Sequence, residues 1–353
     1  MKKVLLISNY VFHYRQKIYN CFSRRFLEDG YELHVLADAY QEVGYESLFI
    51  RHVLPFSVNG YERKIDEISP DVVIVFLHLK DRVQIPLIHY CKRKRIPVIF
   101  WNKGVSSTDP DNPLKNIFYH HIHNSCDALL TYTPLTAAFF QKKNHKKLFI
   151  AYNTVDCSDI NKSKYKAAGL REKYGIKENR VVLYVSRLKK TKRVDILLKA
   201  LAGQPDIAVV VMGEGITSEL ESMFASASNL YYVGQKYGEE GNEIWAMGDV
   251  FSIPLSCGLG INEAIFWNMP IVTMKGDQTP EIYYVKEGKT GYIAENEKDY
   301  KEKLLSLLND NELLARMKEE CRKEYEEEVS IDKMYKGFID AVRYCRKEYR
   351  QKK

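Results

Sequence analysis

The stretch with the most distinctive chemistry is residues 187–193, where five of seven positions are Lys or Arg. The apolar, β-branched residues 181–185 before it predict a strand. Apolar residues at helical spacing from Val194 onward predict a helix. The cations thus precede a helix N-terminus, where each like charge is unfavourable by about 0.3–1 kcal/mol. A bound phosphate would reverse that penalty, whereas a solvated basic loop is the alternative interpretation.

Two other basic clusters need no ligand to explain them. Residues 92–95 and 142–147 follow predicted helices at 82–91 and 134–141. Cations at a helix C-terminus are ordinary capping residues. The cluster at 187–193 is therefore the one that predicts an anion site.

A second candidate site follows a strand that is predicted to end at Pro254. Gly258 and Gly260 let the backbone come close to a ligand at the start of the next helix. Glu263 falls in the first turns of that helix. A carboxylate there can accept hydrogen bonds from a ribose diol, or it can simply stabilise the helix dipole.

Strand-like and helix-like segments alternate along most of the chain, up to about residue 296. This alternation predicts an α/β fold with two doubly wound parallel-sheet domains, and the default ligand site is the cleft between them. We expect one domain at 1–165 and a second at 166–330. A basic helix at 331–353 is expected to pack back on the first domain, although its cationic end could equally rest on anionic lipid.

Composition and charge restrict the cellular setting and the partners. No apolar run approaches the ~18 residues of a membrane span, and seven scattered cysteines without a Cys-x-x-Cys pair fit a reducing cytoplasm. Residues 1–165 carry the whole net charge of +7. That half is expected to meet a phosphate-bearing acceptor or an anionic membrane, with random drift in surface charge as the alternative. No nucleic-acid motif is present, so nucleic acid is not an expected partner.

Taken together, these motifs resemble the retaining GT-B glycosyltransferases, specifically family 4. The family's Gly-Arg-Leu and Lys-Gly pair matches Arg187 and Lys192, and the resemblance implies that both hold the diphosphate of a nucleotide-sugar donor. It implies that Glu263 holds the ribose, and we expect these three residues to be the catalytic set. The donor-binding residues that the resemblance adds are Ser186, Gly213, Gly258, Leu259, Gly260 and Glu281.

The sequence departs from the family at two positions. Leu255 stands where the first of two glutamates usually touches the donor sugar, and Arg193 stands where a glycine is usual.

The N-terminal half resembles the family more loosely. Residues 13–15 look like the Tyr-Arg start of members that build bacterial surface polysaccharides, and Lys103 takes the place of a family histidine. The expected acceptor or sugar contacts are therefore His13, Tyr14, Arg15 and Lys103.

No metal or cofactor is expected. Of His120, His121 and His123, only His120 and His123 are spaced to share a helix face, which does not make a metal site. Asp109 and Asp111 are interpreted as part of a turn. The nucleotide sugar, of UDP or GDP type, is a substrate.

The expected protein is a cytoplasmic glycosyltransferase, peripheral on the inner membrane, acting on a glycan or lipid-linked glycan in surface polysaccharide synthesis. One alternative is an inactive nucleotide-binding scaffold. The other is a nucleotide-sugar epimerase, which would need acidic and histidine residues in both domains; the absence of histidine after residue 145 argues against it.

Overall fold

A computed structural model describes residues 1–78, 81–105 and 112–351. The chain forms two compact units: unit 1 is Met1–Asp156 with Ser330–Lys353, and unit 2 is Cys157–Val329. The boundary thus lies before Cys157, not after residue 165 as expected. The physical reason is Lys162, whose Nζ donates hydrogen bonds to the Phe266 carbonyl (2.7 Å) and to Asn268 Oδ1 (3.3 Å) and so fastens this segment to unit 2.

The first part of unit 1 alternates strands with helices. The strands are β1 Lys2–Val11, β2 Tyr31–Tyr40, β3 Ile50–Val53, β4 Val72–Phe76, β5 Val98–Asn102, β6 Ala128–Thr131 and β7 Leu148–Ile150. The helices are α1 His13–Glu28, α2 Val58–Ile68, α3 Gln84–Arg93, α4 Pro113–Ser125 and α5 Pro134–Ala137, with a 3-10 helix at Lys142–Lys147. The strands form one parallel sheet in the order β3-β2-β1-β4-β5-β6-β7. The apolar strand interiors are buried on both faces, as in sheets covered by crossover helices.

Unit 2 repeats this architecture with six strands. They are β8 Arg180–Val185, β9 Ile207–Met212, β10 Leu230–Gly234, β11 Val250–Ser252, β12 Ile271–Met274 and β13 Gly291–Ala294. The helices are α6 Ala167–Lys173, α7 Val194–Leu201, α8 Ser218–Ala225, α9 Gly238–Met247, α10 Gly260–Phe266, α11 Glu297–Asn309 and α12 Asn311–Glu324. Short 3-10 helices occur at Lys162–Lys164, Lys190–Lys192 and Pro280–Tyr284. The parallel sheet has the order β10-β9-β8-β11-β12-β13.

A π-helical turn, Tyr325–Val329, ends unit 2, and α13 (Ile331–Gln351) returns the chain to unit 1. In α13, Phe338 is fully buried, and its ring centroid lies 4.9 Å from that of Trp101. Gly337 lies so close to the chain that a Cβ there would be 2.2 Å from the Ile150 carbonyl oxygen. The prediction of two doubly wound parallel-sheet domains with a C-terminal helix is confirmed. Among the described residues no helix is long and apolar enough to cross a membrane.

Candidate functional site

The basic loop (residues 186–193) follows β8 and is held against the turn after β9. The Ser186 N–H donates to the Met212 carbonyl (3.0 Å), and the Leu188 N–H donates to the Glu214 carbonyl (2.8 Å). At Gly213 the two segments approach so closely that a Cβ would lie 1.9 Å from the Ser186 carbonyl oxygen. Only glycine fits there, so position 213 serves the close packing of two strand ends.

The two predicted diphosphate ligands lie in different surroundings. Arg187 is exposed, and in the part of the chain that the structure describes no carboxylate pairs with its guanidinium. Lys192 is half-buried; burial lowers the pKa of its amine, and the charges of Arg187 and Lys189 lower it further. The nearby Cys257 thiol and Glu281 carboxylate raise that pKa. Three cations and one buried carboxylate therefore share this corner of unit 2.

Lys192 also fastens the basic loop to the glycine loop (residues 254–260). Its carbonyl oxygen accepts the Leu255 N–H (3.4 Å), and its Nζ donates to the Ser256 carbonyl oxygen. The Ser256 N–H in turn donates to the Asp277 carbonyl (3.0 Å). Leu255, at the position of the family's first glutamate, packs its side chain toward Gly276, where an added Cβ would lie 2.9 Å from Leu255 Cδ2. Position 255 therefore contributes apolar packing instead of a carboxylate.

Two side chains that the sequence analysis missed hold the other side of the glycine loop. Gln278 accepts the Cys257 N–H (3.3 Å) through Oε1, and its Nε2 donates to the Pro254 carbonyl (3.2 Å). Thr279 Oγ1 accepts the Gly258 N–H (2.9 Å). The Gly258 N–H, expected to face phosphate, thus has a hydroxyl partner in this structure. The available signal was their position, because Gln278 and Thr279 lie two to three residues before Glu281, which the family resemblance already assigns to the donor site.

Helix α10 begins where the glycine loop ends. At Gly260 a Cβ would be 2.8 Å from the Phe251 ring, so glycine permits the helix to pack on β11. Leu259 is the N-cap residue, and its carbonyl accepts the N–H of half-buried Glu263 (3.3 Å). Glu281 lies in the 3-10 helix Pro280–Tyr284 and is only 4% exposed. Its charge acts on Lys192, so the predicted donor residues from three segments of unit 2 are brought into one neighbourhood.

Arg193 differs from its cationic neighbours. Its φ is +53°, in the left-handed region that favours glycine, which explains why a glycine is usual at this position in the family. Its Nε and Nη2 atoms each lie 3.0 Å from a carboxylate oxygen of Asp195. The charge of Arg193 is therefore neutralised within the fold by Asp195, in the first turn of α7.

Unit 1 contains a pocket of about 140 Å³ at the carboxyl ends of β4 and β5. Its lining is aromatic with a few polar groups: Phe76, Leu77, His78, Trp101, Asn102, Lys103, Val105, Tyr119 and Tyr132. Lys103 Nζ lies 5.5 Å from the centroid of the Tyr132 ring. The buried Trp101 Nε1 has no hydrogen-bond partner among the described residues.

Arg15 lies beside this pocket and is buried. Its guanidinium carbon is 4.6 Å from the Trp101 ring centroid and 5.5 Å from that of Tyr14, and Nη1 donates to Asn153 Oδ1 (3.2 Å). His13 begins α1, and its Nδ1 lies 3.1 Å from Gln41 Oε1. Arg15 thus contacts the rings of Tyr14 and Trp101, whereas Lys103 contacts the neighbouring ring of Tyr132. The His13 ring meets the edge of the Tyr14 ring, at a centroid distance of 5.7 Å.

The histidines of α4 are dispersed. His123 is fully buried, with Nε2 3.2 Å from Asn102 Oδ1, and burial lowers its pKa to about 3, assisted by the charges of His120 and Lys147. His121 lies against His89 of α3, with 3.3 Å between their Nε2 atoms. Within the described ranges no group of three or more His, Cys, Asp or Glu could hold a metal ion. The predicted turn at Asp109–Asp111 lies outside those ranges.

Comparison with known proteins finds similarity in unit 2. Residues 167–324, somewhat less than half of the chain, match the family model of the glycosyl transferases group 1. The sulfoquinovosyl transferase SQD2 of Arabidopsis thaliana is 29% identical over 164 residues, which are 44% of this chain and 32% of the relative. A GDP-mannose-dependent α-(1-6)-phosphatidylinositol monomannoside mannosyltransferase of Mycolicibacterium smegmatis is 32% identical over 146 residues, which are 36% of this chain and 38% of the relative. The chain therefore spans less than half the length of either relative.

The whole chain resembles solved structures in fold. The crystal structure of Anabaena HepE in complex with UDP superposes with a TM-score of 0.78 at 15% identity, covering 97% of this chain and 99% of HepE. This likeness confirms the predicted GT-B fold.

Proposed function

We propose that this chain is a family 4 glycosyltransferase that moves a sugar from a UDP- or GDP-sugar to a glycan or lipid-linked glycan, in the synthesis of a cell-surface polysaccharide. The observation that carries the proposal is that Lys192, with the charge of Arg187 acting on it, is hydrogen-bonded to the glycine loop inside the segment that matches the family. Unit 2 binds the donor, and unit 1 binds the acceptor.

The chemistry follows from the charge that leaves with the nucleotide. When the bond between sugar and diphosphate breaks, negative charge grows on the diphosphate. Fixed cations aimed at that charge stabilise the transition state more than the ground state. Arg187 and Lys192 supply two such cations, so the proposed reaction needs no divalent metal. The acceptor hydroxyl forms its bond on the face from which the diphosphate leaves and passes its proton to a departing phosphate oxygen, so the anomeric configuration is retained.

The pocket in unit 1 suits the acceptor. Aromatic faces pack against the apolar faces of a sugar ring, and a few polar groups fix its orientation. Lys103 offers a charge-assisted contact to a phosphate of a lipid-linked acceptor. Two of the compared proteins support the proposed donor and acceptor classes. HepE was crystallised with UDP, which is the nucleotide part of a UDP-sugar donor. The mycobacterial relative is named for GDP-mannose as donor and for a mannosylated phosphatidylinositol as acceptor.

A nucleotide panel tests the proposal. Purified protein is heated with UDP, GDP, ADP and their sugars, because a ligand that binds only the folded state raises stability by about 2.7 kcal/mol at 100 times its Kd. We expect one nucleotide diphosphate to raise Tm by several degrees in the native chain and not in the Arg187→Ala/Lys192→Ala variant. Failure of every nucleotide to raise Tm would contradict the proposal.

Turnover then separates the alternatives. Mass spectrometry of the reaction with the selected nucleotide sugar, a glycan acceptor pool and EDTA should show glycosylated product and free nucleotide diphosphate. An inactive scaffold would bind the nucleotide without turnover. An epimerase would isomerise the nucleotide sugar in the absence of any acceptor.

A further inference from the structure

Helix α4 presents an apolar face that no part of the described chain covers. Leu114 is 69% exposed, Ile117 61% and Phe118 55%. Their spacing of three and four residues places them on one side of the helix. Exposed single apolar residues are ordinary on soluble proteins, but three large ones side by side mark an interaction surface.

From the start of α4 to the end of the 3-10 helix Lys142–Lys147 the sequence carries mostly positive charge, and Asp109 and Asp111 precede the helix. Residues 112–147 contain five lysines and one acidic residue, Asp127, whose carboxylate accepts the Val98 N–H (2.9 Å) inside the sheet. The 3-10 helix Lys142–Lys147 is held beside the end of α4 by a hydrogen bond from Asn144 Nδ2 to Asn124 Oδ1 (3.1 Å). This finding corrects the expectation that the cluster caps α5, which ends at Ala137.

Three lysines of this turn, Lys142, Lys143 and Lys146, are exposed, and in the described part of the chain none has a carboxylate partner. Several cations elsewhere in unit 1 do have carboxylate partners. Nitrogen–oxygen distances are 3.7 Å for Arg93 with Glu62, 3.0 Å for Lys94 with Asp66, 2.8 Å for Arg343 with Asp29 and 3.9 Å for Arg346 with Asp71. The basic clusters at 92–95 and in α13 are thus partly neutralised within the fold, whereas the one beside α4 is not.

The charge difference between the two units is also larger than the sequence halves suggest. Unit 1 has 29 Lys and Arg against 18 Asp and Glu, because the basic α13 belongs to it, whereas unit 2 has 24 against 28. An anionic surface is therefore attracted to unit 1 and repelled by unit 2. This difference orients the molecule on such a surface.

Helix α4 also reaches the pocket. Tyr119, on the side of the helix away from Leu114 and Phe118, lines it together with Lys103. One helix thus connects an exposed apolar face to a site that is aromatic and cationic. A lipid-linked saccharide has the matching parts: an apolar chain, a phosphate and a sugar.

We propose that the apolar face of α4 (Leu114, Ile117 and Phe118) inserts into the surface of an anionic lipid bilayer while Lys142, Lys143 and Lys146 contact lipid phosphates. Apolar side chains beside unpaired lysines are the two features that interfacial membrane contacts require. The assignment rests on the proposed function in one respect, since the bilayer presents the acceptor to the pocket of unit 1.

The test is co-sedimentation of the full chain with vesicles of phosphatidylcholine alone or with roughly 30% phosphatidylglycerol. We expect binding to the anionic vesicles that is lost near 0.5 M salt, where screening shortens to a few ångströms. Ile117→Ser and Phe118→Ser should each weaken binding on the order of tenfold. Lys142→Gln/Lys143→Gln/Lys146→Gln should weaken it on the order of 100-fold, because each cation contributes about fivefold.

Leu27→Ser is the matched control, since Leu27 is an exposed leucine of unit 1, 57% exposed, on a different helix. It should bind vesicles like the native chain. Equal binding by all variants, equal binding to neutral vesicles, or no binding would overturn the proposal. So would a native dimer that Phe118→Ser dissociates in sedimentation velocity, because the face would then be covered by a second copy. Nucleotide affinity, measured in parallel, is expected to be unchanged in every variant; a chain that binds nucleotide but no vesicles refutes this inference and leaves the proposed function standing.

Discussion

Lys192 is the residue whose replacement tests the donor site most sharply. It has two tasks in the structure: it carries charge beside Arg187, and its Nζ donates a hydrogen bond to the Ser256 carbonyl in the glycine loop. Lys192→Met removes the charge and the hydrogen bond but keeps a side chain of similar length. Lys189→Met is the matched control, because Lys189 belongs to the same loop and is exposed to solvent.

The expected size of the effect comes from these contacts. A hydrogen bond to a charged group contributes about 1.5–3 kcal/mol, which corresponds to roughly 10- to 150-fold in affinity. We expect Lys192→Met and Arg187→Met each to weaken nucleotide diphosphate binding by that factor and to lower kcat/KM by at least as much. Lys189→Met should change either quantity by less than about threefold, because solvent screens an exposed charge.

The assay compares a nucleotide diphosphate with its monophosphate by calorimetry. If Lys192 contacts the second phosphate, its loss weakens the diphosphate and spares the monophosphate. If Lys192 only shapes the glycine loop, both ligands weaken together and the thermal midpoint falls as well. Equal losses for Lys189→Met and Lys192→Met would show that bulk charge attracts the nucleotide, and the assignment of Arg187 and Lys192 would be wrong.

Two further predictions concern Glu263 and His123. Glu263→Gln keeps the volume but loses the anion, so affinity for the nucleotide should fall roughly tenfold with little change in Tm; unchanged affinity in calorimetry would return Glu263 to the role of a helix-dipole residue. His123 stays neutral in the folded chain until its pKa of about 3, whereas the unfolded chain takes up that proton near pH 6.5. Stability should therefore be lost as the pH falls below about 6.5, by about 2 kcal/mol between pH 7 and 5, and His123→Gln should remove this loss. Urea unfolding at pH 7, 6 and 5 measures it, and parallel profiles for the two proteins would contradict the prediction.

The fold was accessible from the sequence because buried parallel strands have a simple signature. Apolar, β-branched runs at 71–77 and 207–212 predict strands, and the structure has them at Val72–Phe76, where only Phe76 is half-buried, and at the fully buried Ile207–Met212. The strand Ile50–Val53 was missed because it lies at an edge of the sheet, has three exposed residues and contains Arg and His. Edge strands need not be apolar, so they lack that signature.

The site was less accessible, because its geometry depends on contacts distant in sequence. The spacing of the motif predicts Arg187 and Lys192 as site residues. It does not predict the hydrogen bond from Lys192 Nζ to the Ser256 carbonyl or the burial of Glu281. The pocket residues Trp101 and Tyr119 come from a strand and a helix whose sequences predict only packing. Hydrophobic periodicity says which residues face inward, but it does not say which of them surround a cavity.

The conformation of the glycine loop bears on the alternative of an inactive scaffold. Ser256 has a φ of +54°, a region that costs a residue other than glycine about 1–3 kcal/mol. The loop is held in this shape by bonds to Lys192, to the Asp277 carbonyl and to Gln278. Such strain persists where the surrounding contacts determine the backbone, and it is concentrated at functional sites. The loop geometry therefore fits a ligand-binding segment, which an active transferase and a nucleotide-binding scaffold would share, and the turnover assay is what separates the two.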